Sequence, residues 1–434
     1  MSEQPILPSL EAVVVREAID PTNVGDREPR GYVATLTIAN IGVLIALITP
    51  IIVSLAFKLQ HISASPEEGT SALGITLGLG AMVGMVVNPL AGRLSDRTMS
   101  RFGRRRPWVV SGMLVAFAAL VGIGFAPEIW MVMVLWCVVQ AGVSMATAAM
   151  NATIPEQVPA HRRGLVSGLM GVGTSIAILG GISLTQTLSE DWLRFSVPGA
   201  IGVILVAVFA LILPDHPRTA PPTHRFSVRE FLGSFVFDPR QWPDFGWVWL
   251  SKFCVIFGHI GVASFLPLYL TERFELGEQE AITVILFSNL AATATGLISG
   301  IGGGLISDRL GRRRVFVLAA GFITAAGLLL LGFAPGTTVV IIAQAIIGFG
   351  SGAFFSVDTA LATQTLPKTG DTAKDLGVLN IANTLPQSIG PILATPIIAL
   401  GAGTAIGGHA SFYVVGATIT LVGAVLVLNV KGVR

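Results

Sequence analysis

The chain has 434 residues, 52% of them hydrophobic and 12% charged, and its mean hydropathy is +0.75. A soluble domain carries about 25% charged residues, so composition excludes one and makes lipid the main solvent. The net charge of +2 identifies no partner, and the arginine-rich stretches lie between apolar runs, which excludes a nucleic-acid patch.

Residues 1–30 are polar, mixed in charge and broken by Pro5, Pro8, Pro21 and Pro29, which reads as a disordered cytosolic tail without a cleavable signal. Apolar runs of about 20 residues, the length a helix needs to cross the hydrocarbon core, then follow one another. Twelve are centred near Leu44, Gly80, Phe117, Leu135, Ser175, Val206, Ile256, Ala291, Gly321, Ile346, Leu385 and Ala417. After the second comes GRLSDRTMSRFGRRRP, from Gly92 to Pro107, and after the eighth GGLISDRLGRRR, from Gly303 to Arg314. The segments following spans four and ten, Asn151–Gly164 and Asp358–Gly370, also rhyme. Such correspondences indicate duplication. The long connection opened by Pro214, Pro217, Pro221 and Pro222 separates the copies. The division is a tail over 1–30, six spans over 31–213, a cytosolic linker over 214–245 and six spans over 246–434. Within the linker, Phe226–Phe237 reads as a surface amphipathic helix or an ordered linker helix. Trp242, Trp247 and Trp249 form an aromatic belt where span seven begins.

With both termini cytoplasmic, inner segments hold about 23 of the 27 Lys and Arg, leaving Lys58, Arg194 and Arg273 outside and Lys252 within a span. Glu67, Glu68, Glu190, Asp191, Glu272, Glu275, Glu278 and Glu280 crowd the outer side. Cys137 and Cys254 sit among apolar neighbours and read as packing residues rather than a disulfide or metal site.

The doubled loop resembles the signature of the major facilitator superfamily, G-x-x-x-D-R-x-G-R-R-x. Gly92, Asp96, Arg97, Gly103, Arg104 and Arg105 match it with an insertion, and Gly304, Asp308, Arg309, Gly311, Arg312 and Arg313 match without one. The longer first loop, with Gly377, Val378, Leu379, Asn380, Pro386 and Gln387 of span eleven, resembles the glycoside-pentoside-hexuronide and sucrose-transporter cation symporters. The resemblance implies an all-α membrane protein of twelve transmembrane helices in two pseudo-symmetric six-helix bundles. It also implies sugar or glycoside substrates, proton coupling, and a cavity lined by spans one, four, seven and ten. One departure stands out: span four carries no charge between Glu128 and Glu156, whereas the sucrose group has charges there.

The loops read as an inner gate. Asp96 and Asp308 suit the N-terminus of a helix from the opposite half, where the macrodipole favours an anion by about 0.3–1 kcal/mol. The arginines suit carboxylates or last-turn carbonyls, and Gly92 suits close helix approach. Arg106 and Arg314 read as topology and lipid contacts.

Ionisable groups at membrane depth are costly and point to function. Lys252 and His259 lie two turns apart on one face of span seven, and Asp358 lies in span ten. Asp358 is a candidate proton carrier modulated by Lys252 or His259; the alternatives are a fixed Lys252–Asp358 ion pair and a snorkelling lysine. Gln140, Ser144, Thr147 and Asn151 stripe one face of span four, partly repeated by Gln344, Ser351 and Asp358 in span ten. With Asn40, Asn380 and Gln387 they suit a polyhydroxylated solute, interhelical hydrogen bonding being the alternative for each. Trp136 and Phe355 are candidates for stacking on a sugar ring or for packing.

The leading expectation is secondary transport of a small polar solute, a sugar or glycoside, by a monomer in the plasma membrane with a proton as coupling ion. Proton-driven efflux of drugs or metabolites and a non-transporting sensor or scaffold are the alternatives. No metal-ligand spacing and no nucleophile–base pair suggests an enzyme, and no cofactor is expected.

Overall fold

The computed structural model describes residues 28–215, 240–365 and 372–430. The greater part of the N-terminal tail and the linker segment Phe226–Phe237 lie outside the described residues. Among those described, twelve helices are long and apolar enough to cross a membrane. They are α1 (Tyr32–Ile62), α2 (Pro66–Arg97), α3 (Arg106–Phe125), α4 (Ile129–Gln157), α5 (Arg163–Thr187) and α6 (Asp191–Ile212). The second six are α7 (Pro243–Phe274), α8 (Glu278–Leu310), α9 (Arg313–Gly332), α10 (Thr337–Gln364), α11 (Thr372–Ala402) and α12 (Gly408–Leu426).

Local chemistry sets the ends. Ser65 caps α2 by accepting from the Glu68 amide at 3.2 Å, with Pro66 in the first turn and two glutamates beside the helix N-terminus. Glu280 reaches back to the Gly277 amide at 3.3 Å to start α8. That helix stops at Gly311, whose φ of 61° favours glycine. Pro50 opens a π turn, Pro50–Ser54, inside α1, as expected where a residue lacks its amide hydrogen.

The packing repeats with six-helix spacing. The pairs α1–α5, α1–α6, α2–α4, α3–α4 and α3–α6 have counterparts in α7–α11, α7–α12, α8–α10, α9–α10 and α9–α12. The halves meet through α2 with α11 and α5 with α8, one arrangement related by the same pseudo-twofold, and through the part of α1 over residues 50–62 with α7. Glycine permits the first of these contacts. A Cβ on Gly74 would lie 2.4 Å from the Pro391 carbonyl oxygen, and one on Gly78 only 2.3 Å from Ile392. Both glycines belong to the half of α2 remote from the Asp-Arg loop, so the bundles are drawn together at the end that carries the acidic residues. We call the two ends the acidic face and the arginine face.

Candidate functional site

At the arginine face, the segment between α2 and α3 folds around Gly103, whose φ of 100° is a left-handed conformation that favours glycine. This turn aims the amides of Arg105 and Arg106 at one oxygen, Asp215 Oδ2, each donating at 2.7 Å. The buried Arg105 guanidinium meets Asp96 from α2 and, at 2.6 Å, Glu156 Oε1 from α4. Arg104 reaches the same Glu156 oxygen at 2.8 Å. Burial disfavours the Arg105 charge, but the hydrogen bonds and charges of Glu156 and Asp96 outweigh it and raise its pKa above the usual arginine value.

Several expectations for these loops need correction. Asp96 meets Arg105 of its own half, which Glu156 at the end of α4 draws inward beside it. Gly92 shows no close approach among the described residues: a Cβ there would meet none of them within 4 Å, and its carbonyl accepts from Arg105 Nη1 at 3.5 Å. Gly304 is hardly closer, with Ser356 Cβ at 3.9 Å. Arg106 and Arg314 do more than face lipid. Arg106 Nε donates to the Leu213 carbonyl at 3.1 Å just beyond α6, and Arg314 donates to the Val430 carbonyl just beyond α12. The two arginines thus hold equivalent helix ends in the two halves. In the second loop, Arg309 lies in the last turn of α8, Gly311 ends it, and Arg312 and Arg313 lead into α9. The side chain of Asp308 lies outside the described residues.

Deeper in the bundle, Lys252 Nζ on α7 lies 2.7 Å from Asp358 Oδ2 on α10, and both side chains are over 90% removed from solvent. Two turns further along the helix pair, His259 lines a cavity of about 10 Å³, near the lower limit for one water. Ser351, Thr324, Phe354 and Phe355 share its wall. The His259 Nδ1 is buried with no hydrogen-bond partner among the described residues.

The α4 stripe faces α2. Gly80 and Gly84 lack the Cβ that would keep the helices apart: one at Gly80 would fall 2.5 Å from the Trp136 ring, and one at Gly84 lies 3.3 Å from Ser144 Oγ. Asn88 Nδ2 donates to Thr147 Oγ1 at 3.4 Å along the same seam. Trp136 has no exposed surface and so packs rather than offering a ring to a solute, the second of its two readings, which Gly80 makes room for. Asn151, Asn380 and Gln387 are exposed, as is Phe355, whereas Asn40, Ser144 and Gln344 are buried. Gln140 and Thr147 are half-buried, and Ser351 turns its hydroxyl to the Ile347 carbonyl.

At the acidic face, charged groups join the halves. Arg194 at the start of α6 is buried, donates to the Leu188 carbonyl at 2.8 Å and pairs with Glu278 at the start of α8. His61 at the end of α1 lies 3.3 Å from Asp191 and 3.8 Å from Glu278. Gln279 donates to the Gln186 carbonyl at 2.6 Å, and Gln186 to Thr283 Oγ1 at 3.3 Å. The sequence reading puts Arg194, Asp191 and Glu278 on one side of the membrane without pairing them.

A family model described as Major Facilitator Superfamily matches residues 32–305 and 290–432. The chain belongs to the major facilitator superfamily. Among curated proteins it is 25% identical to the cis,cis-muconate transport protein of Acinetobacter baylyi, over 87% of this chain and 89% of that protein. A stretch of 50 residues is 46% identical to a sucrose transport protein of Oryza sativa, covering 12% of this chain and 9% of that one. Among solved structures, a D-xylose–proton symporter superposes with a TM-score of 0.70 at 17% identity, over 92% of this chain and 99% of that chain. The protein is therefore a membrane-embedded secondary transporter of small solutes and not an enzyme.

As a major facilitator protein, this chain is joined at its acidic face. Its exposed polar groups, Asn88, Asn151 and Asn380, lie in the arginine-face portions of α2, α4 and α11. The structure brings Lys252 and Asp358 together and sets Gln140, Ser144 and Thr147 in one seam with Asn88. Sequence reasoning overlooked Asn88, Glu156 and Asp215. Asn88 carried a signal, an amide amid the apolar run of span two. Asp215 sits in a proline-rich segment where nothing distinguishes a structural acid from a solvated one.

Proposed function

We propose that this transporter carries a small uncharged polar solute of the sugar or glycoside class, coupled to protons. The observation that carries the reading is the Lys252–Asp358 pair. The two ionised groups at depth neutralise each other at 2.7 Å, leaving amides and hydroxyls as the polar groups exposed for a solute. Asn151, Asn380, Gln387 and Asn88 offer donors and acceptors together, which suits hydroxyl-rich ligands. The short match to a sucrose transport protein and the likeness in fold to a D-xylose–proton symporter agree with it.

Coupling follows from the cost of burying a lone charge. Protonating Asp358 removes the partner of Lys252, and an uncompensated buried charge costs about 3–5 kcal/mol. α7 and α10 relieve that cost by moving so that Lys252 reaches water. The six Asp-Arg loop positions of each half, from Gly92 to Arg105 and from Gly304 to Arg313, act at the arginine-face gate. That face is cytoplasmic in this reading, with both termini inside, and the protein acts as a monomer in the plasma membrane.

A second reading has one specific support, the muconate transport relative that spans most of this chain. An unsaturated dicarboxylate would then be the solute, with Lys252 and His259 as its cationic contacts. Competition decides between them. Purified protein in liposomes is offered a panel of radiolabelled sugars, glycosides and cis,cis-muconate, and uptake into the lumen is counted. Uptake of a sugar or glycoside unaffected by excess muconate supports the first reading; muconate uptake that ignores the sugars supports the second. Export of cationic dyes with neither uptake would overturn both in favour of efflux.

A further inference from the structure

Lysine and arginine at the acidic face are scarce, yet Lys58 and Arg194 are both buried. Lys58 Nζ donates to the Gly124 carbonyl at 3.2 Å and lies 3.5 Å from Asp191, all within the first half. Arg194 differs, because its guanidinium is held by two partners from different halves. Nε donates to the Leu188 carbonyl of its own half, which keeps the side chain aimed, and Nη1 meets Glu278 of the other. When the halves part at this face, only the second contact has to break. The guanidinium stays oriented for the return, so closure carries little side-chain ordering cost.

His61 completes the arrangement. Its Nδ1 faces Asp191 and its Nε2 faces Glu278, so one ring spans a carboxylate from each half. A neutral imidazole has one N–H and donates to one of them. Imidazolium has two, so it hydrogen-bonds Asp191 while its second N–H and its charge face Glu278 at 3.8 Å. The charged groups around the ring are Lys58, Asp191 and Arg194 from the first half and Glu272 and Glu278 from the second, with His409 bonded to Glu272 at 2.9 Å. A cavity of about 330 Å³ opens over the ring between Phe57, Gln60 and Pro66 on one side and Thr271, Glu272 and Glu278 on the other. Water and protons therefore reach His61 while the latch is shut.

We propose that Arg194 and Glu278 are the latch that closes the acidic face during transport, and that His61 makes the latch respond to the pH of that compartment. Closure is strongest when His61 is protonated and weakens as rising pH removes the imidazolium proton. The proposal concerns opening and closing of the face and holds for either class of solute.

Distance measurement tests it. Cys137→Ser and Cys254→Ser provide a background in which spin labels at Ser189 and Glu280 report the separation of the halves at the acidic face. In proteoliposomes at acidic pH the parent shows mainly the short distance, and Glu278→Gln raises the long-distance population about fivefold or more. His61→Gln shows one distribution at both pH 5.5 and pH 8, close to that of the parent at pH 8, whereas the parent moves from the short distance towards the long one between them. Distance distributions unchanged by Glu278→Gln would overturn the latch. A pH shift that persists in His61→Gln would overturn the role of the histidine. Glu278→Asp separates a folding defect from a lost charge, since it should return the distribution most of the way to that of the parent; an Asp variant as open as the Gln variant overturns the charge argument.

Discussion

Lys252 and Asp358 are joined across α7 and α10 at 2.7 Å, where neither side chain reaches water. Their removal should be grossly non-additive. Lys252→Met alone leaves a buried carboxylate and Asp358→Leu alone a buried ammonium, each costing about 3–5 kcal/mol. The double variant removes both charges and should regain most of that loss. Thermal unfolding of the detergent-solubilised protein gives the comparison, and simple addition of the two single effects would show that the pair is not an isolated unit.

Gly103 and Gly92 belong to the same motif, yet they should respond oppositely to alanine. Gly103 has a φ of 100°, and a Cβ there would sit 2.2 Å from Asp215 Oδ2, so Gly103→Ala combines strain with a clash. A loss of about 1–3 kcal/mol is expected. Gly92 has open space among the described residues, and Gly92→Ala should leave the unfolding temperature nearly unchanged. Equal effects would contradict the assigned turn.

The fold was legible because it is written in composition. Runs of apolar residues and a duplicated loop are one-dimensional signals, and the lipid solvent makes them decisive. The site was legible only in part. Lys252 and Asp358 stood out because charge is rare at depth. For Trp136, by contrast, stacking and packing stayed open, since its burial depends on Gly80 in another helix. Likewise, no spacing rule links Arg105 to Glu156 or Arg194 to Glu278, which are brought together by packing alone.

At the arginine face, Asp96→Asn should lower transport while leaving the protein inserted. Arg105 keeps Glu156 as partner, so the protein folds, but one charge-assisted contact is weakened. A fall in initial uptake rate of about fivefold is expected. Glu156→Gln should do more, because Arg104 and Arg105 share that carboxylate. Uptake rates in vesicles, normalised to inserted protein, rank the two; an Asp96→Asn rate equal to that of the parent would remove Asp96 from the gate.

Gly78 on α2 lies against Ile392 and the Ser388 carbonyl of α11. Leucine at this position overfills the junction at a cost of about 1–3 kcal/mol. The acidic face should then close poorly, seen as greater reactivity of a cysteine placed at Thr395 towards a water-soluble maleimide in the Cys137→Ser/Cys254→Ser background. Gly302, with open space around it, is the control position for the same substitution.

The measurement closest to the central claim is solute uptake into proteoliposomes with and without an inward proton gradient, in the parent and in Asp358→Asn. The account predicts that the gradient accelerates uptake by the parent, while Asp358→Asn loses that acceleration but retains exchange of labelled for unlabelled solute. Uptake by Asp358→Asn that rises with the gradient as much as that of the parent would contradict it.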